Sequence, residues 1–109
     1  MRETVDDVKG VYAIMPTPAL PFADRVTTED TVDYEETARA VHRLIEDGVD
    51  AIMTTGTFGE AATLTWEEHV NFVTTVVEAA QGRVPIYAGA TTLNTRDTIA
   101  RAKVFQEKG

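Results

Sequence analysis

Cysteine is absent from these 109 residues. Disulfide staples, thiolate metal sites and catalysis by a cysteine nucleophile are therefore excluded within this span, and a reducing compartment fits. Basic residues are scarce: 10 Lys and Arg stand against 18 Asp and Glu, for a net charge of −8. An acidic surface repels a phosphate backbone, and no Lys/Arg cluster interleaved with aromatics offsets it, so nucleic acid is not an expected partner. No uninterrupted apolar stretch nears the roughly 20 residues that a membrane helix needs. The start, Met1-Arg2-Glu3-Thr4-Val5-Asp6-Asp7, lacks the apolar core of a signal peptide. The expectation is a cytoplasmic protein with no membrane partner. The 2 histidines, His42 and His69, fall on predicted helices without a second ligand at metal-binding spacing. They are expected in surface or packing roles, and no metal site is expected. Nucleotide loops are missing too, with no GxGxxG and no GxxxxGK. A receiver-like domain would carry an acidic pair after its first strand and an Asp ending its third, but those places hold Met15-Pro16 and Gly89-Ala90.

What is present is 43% apolar residues, the composition of a globular domain or a piece of one, and a pattern that repeats. Residues 10–15 are a short apolar run ended by Pro16-Thr17-Pro18, where two prolines remove ladder donors. After a turn-rich link over 19–32, Asp33 is expected to cap a helix and Glu36 to complete a capping box. The helix would bury Tyr34, Ala38, Val41, Leu44 and Ile45 and stop at Gly48. A second strand over 51–54 leads to a loop containing Gly56. Thr65 and Glu68 form another capping box, followed by Trp66, Val70, Val73, Val76, Val77 and Ala80 on one face, with Gly82 after the end. The third unit has a strand over 85–90 with Pro85 at its first position. Asn94 or Thr95 caps its helix, whose stripe is Ile99, Ala102 and Phe105, with Gly109 as the stop.

Short strands without in/out alternation, separated by helices, indicate a parallel sheet covered by helices, so the class is α/β. Three units fit either an open doubly wound sheet or the first part of an eight-unit barrel, and the barrel is the expected form. A barrel needs about 250 residues. Under that expectation, residues 1–109 are the N-terminal portion of a single (β/α)8 TIM-barrel domain, its first three βα units.

Ligands of parallel α/β folds bind outside the carboxyl ends of the strands, which directs attention to Gly56-Thr57-Phe58-Gly59-Glu60. Two glycines three apart suit a tight turn and a close backbone approach, having no Cβ to block it or to forbid positive φ. The Thr57 hydroxyl and neighbouring amides could hold a carboxylate or relay a proton. The plainer role is a hydroxyl capping the next turn. Phe58 is either a pocket wall or a loop anchor. Glu60 is a potential acid or base, but a lone carboxylate beside a helix start is expected to be satisfied locally. Pro16-Thr17-Pro18 and Thr91-Thr92-Leu93-Asn94 also face the ligand side, where a rigid turn and a helix cap account for them.

Pro16-Thr17-Pro18, Gly56-Thr57-Phe58-Gly59-Glu60 and Leu64-Thr65-Trp66-Glu67-Glu68 together resemble the pyruvate-dependent class I aldolases typified by dihydrodipicolinate synthase and N-acetylneuraminate lyase. The resemblance covers nearly the whole chain. It implies a (β/α)8 barrel, commonly a homotetramer, in which a lysine forms a Schiff base with pyruvate and no metal or organic cofactor takes part. The usual loop in that family reads Gly-Thr-Thr-Gly-Glu or Gly-Ser-Thr-Gly-Glu, and its first hydroxyl residue, matched by Thr57, works with the pyruvoyl carboxylate and the proton relay. Substrate contacts are thereby expected at Thr57, Phe58 and Gly59, with Thr57 catalytic. Phe58 departs from the general loop. With Ala62-Thr63-Leu64-Thr65-Trp66-Glu67-Glu68 and Gly89-Ala90-Thr91-Thr92-Leu93-Asn94-Thr95-Arg96, it is similar to the hydratase-aldolases of polycyclic aromatic degradation. Members add water to an ortho-substituted benzylidenepyruvate and release pyruvate and an aromatic aldehyde. The resemblance puts the lysine on a later strand. Lys9, Lys103 and Lys108 are the only lysines here, and none is expected at a strand's carboxyl end. The alternatives are a synthase or sugar-acid lyase of the same superfamily, and a non-catalytic βα module that binds an anion or a partner.

Overall fold

Prolines and hydrophobic patterning divide residues 3–109, those the computed structural model describes, into three βα units. The strands are β1 (Tyr12–Ile14), β2 (Ala51–Thr54) and β3 (Ile86–Ala88), and the helices are α1 (Tyr34–Glu46), α2 (Trp66–Ala80) and α3 (Thr95–Lys108). A short 3-10 turn, Val5–Asp7, precedes them. The strands pair in parallel in the order β1-β2-β3. β2 spans the expected 51–54, whereas β1 and β3 are shorter than their apolar runs; Pro85, which cannot donate to the ladder, lies just outside β3.

Register decides which face each residue takes. Ala13, Ile52 and Ile86 lie side by side, as do Ile14, Met53 and Tyr87, and successive rows face opposite ways. Ile52, Met15, Ile86 and Ala88 meet the helices and join a core with Val41, Phe72, Val73, Val76 and Phe105. The other face carries Ile14, Met53 and Tyr87, all exposed. Tyr12 and Tyr87 close over it with ring centroids 5.5 Å apart, so that Ala51 between them is fully buried. An apolar face of this kind is the inside surface of a sheet bent toward closure.

Asp33 caps α1, its carboxylate accepting from the Glu36 amide. The expected reciprocal bond is not made. The Asp33 amide donates instead to the Pro18 carbonyl at 2.9 Å, leaving Glu36 to pair with Arg39. Thr37, passed over by an apolar pattern, is fully buried in α1 and satisfies its hydroxyl on the Asp33 carbonyl. The Thr65–Glu68 box forms in full at α2. The face of α2 is turned slightly from the predicted one: Phe72 and His69 are buried, whereas Trp66 is exposed and lies over His69 and Phe105. Left-handed backbone after α2 starts at Gln81, one residue before Gly82. Asn94 caps α3, but only Phe105 of the expected stripe is buried. Ile99 and Ala102 are exposed, since α3 packs chiefly against α2.

Candidate active site

The carboxyl ends of the strands open onto a concavity of about 420 Å³, lined by Ile14, Met53 and Tyr87 from the open face, by Gly56, Thr57 and Phe58 from the loop after β2, and by Gly89 after β3. Its wall is mainly apolar. Residues 56–59 form a β-turn, closed by the Gly59 amide donating to the Gly56 carbonyl at 3.1 Å, with Thr57 and Phe58 at its centre. Both are exposed. Among the described residues, neither the Thr57 hydroxyl nor the Thr57 and Phe58 amides have a hydrogen-bond partner. The hydroxyl is therefore not spent on capping the next turn. Three unpartnered donors on neighbouring residues at one rim suit a carboxylate, because each carboxylate oxygen accepts more than one hydrogen bond.

Positive φ falls on the flanks of this turn, not on its glycines. Thr55 (φ 48) and Glu60 (φ 63) are left-handed, whereas Gly56 and Gly59 are not. Gly56 has open space where a Cβ would go; at Gly59 a Cβ would stand 2.5 Å from the Thr55 nitrogen. The close approach that requires glycine is thus made by the chain's own backbone. The turn is tied to its neighbours on both sides. Thr17 donates its hydroxyl to the Gly59 carbonyl at 2.7 Å, and Thr55 donates to the Gly89 carbonyl at 3.1 Å. Pro16-Thr17-Pro18 is accordingly more than a rigid stop.

The remaining candidates are satisfied locally. Glu60 takes the Thr63 hydroxyl. Thr92 and Asn94 bond within their own loop and the first turn of α3. His42 is exposed and meets Arg83 through Nδ1. His69 is wholly buried, between the edge of Trp66 and the Phe105 ring. Burial pushes its pKa below 6.5, the Arg101 charge adds to this, and the Gly89 backbone opposes both. Sequence reasoning assigned Glu68 only the cap of α2. It is 5% exposed and accepts from the Thr65 amide and from both the amide and the hydroxyl of Thr31. It thereby pins the long loop after β1 beside the site, and nothing local in the sequence pairs residues 37 apart. Lys9, Lys103 and Lys108 do not line the concavity. Among the described residues no cluster of His, Asp and Glu could hold a metal ion, and no helix is long and apolar enough to cross a membrane.

Comparison with known proteins shows the family. Residues 10–109 match the model of the dihydrodipicolinate synthetase family. The chain is 51% identical over 108 residues to the trans-O-hydroxybenzylidenepyruvate hydratase-aldolase of Pseudomonas putida, covering 99% of this chain and 33% of that protein. It is 50% identical over 106 residues to the trans-2'-carboxybenzalpyruvate hydratase-aldolase of Nocardioides sp. (strain KP7), covering 97% and 32%. The structure of PhdJ bound to a substrate intermediate superposes with a TM-score of 0.96 at 55% identity, over 99% of this chain and 33% of that one. Dihydrodipicolinate synthase from Acinetobacter baumannii, complexed with pyruvate, superposes at 0.82 with 31% identity, over 94% and 33%. The chain thus spans about a third of the length of these relatives, and its three parallel βα units match the N-terminal third of the family's TIM barrels. It belongs to the dihydrodipicolinate synthetase family.

Proposed function

We propose that this chain is the N-terminal portion of a single TIM-barrel domain of a hydratase-aldolase, which cleaves an ortho-substituted benzylidenepyruvate to an aromatic aldehyde and pyruvate. The observation that carries the proposal is the turn at 56–59: free donors on Thr57 and its amides, with the exposed Phe58 ring beside them on an apolar wall. The donors match the acid group of a keto acid. The ring replaces the second hydroxyl of the general loop and suits an aryl substrate.

In this account a lysine beyond these residues, on a later strand, condenses with the keto group, losing water to form an iminium. The iminium withdraws electrons from the conjugated double bond, so a water oxygen adds to the carbon bearing the aryl ring and loses a proton, and the neighbouring carbon takes up a proton, which restores the iminium. Removal of the new hydroxyl proton breaks the C–C bond, the aldehyde leaves, and the electron pair rests in the enamine. Protonation and hydrolysis then release pyruvate and free the lysine. The part of Thr57 is to hold the carboxylate and assist proton movement; Phe58 and Gly59 complete the substrate contacts. No metal or organic cofactor enters this scheme. A cytoplasmic homotetramer is the state proposed for the whole enzyme.

The test uses the full-length protein with trans-o-hydroxybenzylidenepyruvate, with and without borohydride. Aldehyde and pyruvate released together, and a lysine adduct trapped on reduction, are expected. Absence of both would reject the proposal, and condensation of pyruvate with aspartate semialdehyde instead would assign the protein to a synthase.

A further inference from the structure

Thr55 is a β-branched residue in the left-handed region, at φ 48, where such residues are rare because the branch crowds the backbone. Conformations of this kind are strained and persist only where their surroundings over-determine them. Here the surroundings do so. A Cβ on Gly59 would stand 2.5 Å from the Thr55 nitrogen, and one on Gly89 would stand 2.3 Å from the Thr55 oxygen, so the peptide groups of Thr55 are enclosed by two glycines from different loops. The Gly89 amide donates to the Thr54 carbonyl at 3.0 Å, and the Thr55 hydroxyl returns a bond to the Gly89 carbonyl at 3.1 Å. The side chain is 1% exposed, out of reach of any ligand. One residue later the chain enters the turn that presents Thr57.

We propose that Thr55 is a positioning residue: its left-handed backbone, locked between Gly59 and Gly89, sets the direction in which Thr57 and its amides face the cavity and so fixes affinity for the keto acid. The inference rests on the assignment of that turn to the substrate carboxylate. It gives Gly89, which already lines the concavity, a second part in the site through its contact with Thr55.

The experiment compares Thr55→Val, Thr55→Ser, Gly89→Ala and the Thr55→Val/Gly89→Ala pair in the full-length enzyme, reading KM, kcat, melting temperature and borohydride trapping with pyruvate. Thr55→Val keeps the branch but removes the bond to Gly89, and is expected to raise KM about tenfold, the loss of one buried hydrogen bond, with kcat changed less than about threefold. Thr55→Ser keeps the hydroxyl and is expected to restore the wild-type KM. Gly89→Ala is expected to raise KM in the same way, and the pair to fall short of the product of the two singles, since both act on one peptide. Lower melting temperatures with unchanged KM would overturn the inference, as would fully multiplicative effects. If Gly89→Ala does not fold, the Val and Ser variants decide. Wild-type protein that traps no pyruvate would fell the carboxylate assignment and this inference with it. Trapping with KM unmoved by Thr55→Val would fell this inference alone.

Discussion

The Thr17 hydroxyl donates to the Gly59 carbonyl across 2.7 Å, joining loops 42 residues apart in the chain. The bond makes the end of the 56–59 turn depend on the loop after β1. Thr17→Val is expected to cost about 1 kcal/mol of stability, the ordinary net worth of such a bond, and to raise KM for the keto acid a few-fold while Thr17→Ser does neither. Denaturant unfolding and steady-state kinetics on the full-length enzyme check both parts.

Glu68 holds the Thr31 loop and the start of α2 at once. Burial alone would raise its pKa, but the Thr31 hydroxyl and the Thr65 and Thr31 amides together outweigh it and leave the carboxyl below its usual 4.5. A depressed carboxyl adds stability above the unfolded value and loses it as pH falls through the folded one. Glu68→Gln is therefore expected to cost about 2 kcal/mol near neutral pH, by leaving buried donors poorly matched, and progressively less below pH ~4.5. Unfolding curves of the two proteins from pH 3.5 to 7.5 would show the gap closing; a constant gap would contradict it.

His69 sits fully buried between Trp66 and Phe105, with the Gly89 backbone as the polar group acting on its ring. Its pKa is lowered from 6.5, chiefly by burial. The unfolded chain then binds a proton that the fold resists, so the wild type loses stability as pH falls below about 6.5. His69→Phe keeps the aromatic packing and removes the titration. Its melting temperature should equal or exceed that of the wild type at pH 7.5, with the advantage growing toward pH 5. Parallel curves would show that His69 does not titrate in this way.

Phe58→Thr restores the general family loop. It is expected to lower kcat/KM for a benzylidenepyruvate by about 10–200-fold, the range set by apolar pocket contacts, while borohydride trapping of pyruvate continues. Loss of trapping would mean that Phe58 supports the turn itself and does not select the aryl ring.

Much of the frame was legible because it is local. Capping residues Asp33, Thr65 and Asn94 all sit where the helices begin, since a cap depends on residues three apart. The parallel sheet followed from apolar runs interrupted by helices. The burial of α3 was misjudged because Ile99 and Ala102 need a neighbour on the far side of that helix, and periodicity does not say which stripe is covered. The turn at 56–59 follows β2 as its two glycines imply, but the backbone strain does not fall on those glycines. Thr55 carries it, because Gly59 and Gly89 come close only in three dimensions. Glu68 was read as half of a cap for the same reason: its bonds to Thr31 cross between units.

The central claim is that Thr57 and its neighbouring amides grip the carboxylate of a keto acid at the barrel mouth. A crystal structure of the full-length protein, reduced with borohydride in the presence of pyruvate, tests it most directly. The account predicts a lysine-linked pyruvoyl group whose carboxylate lies within hydrogen-bonding distance, about 3 Å, of the Thr57 hydroxyl and the Thr57 or Phe58 amide. A carboxylate held elsewhere, with the 56–59 turn unengaged, would contradict it.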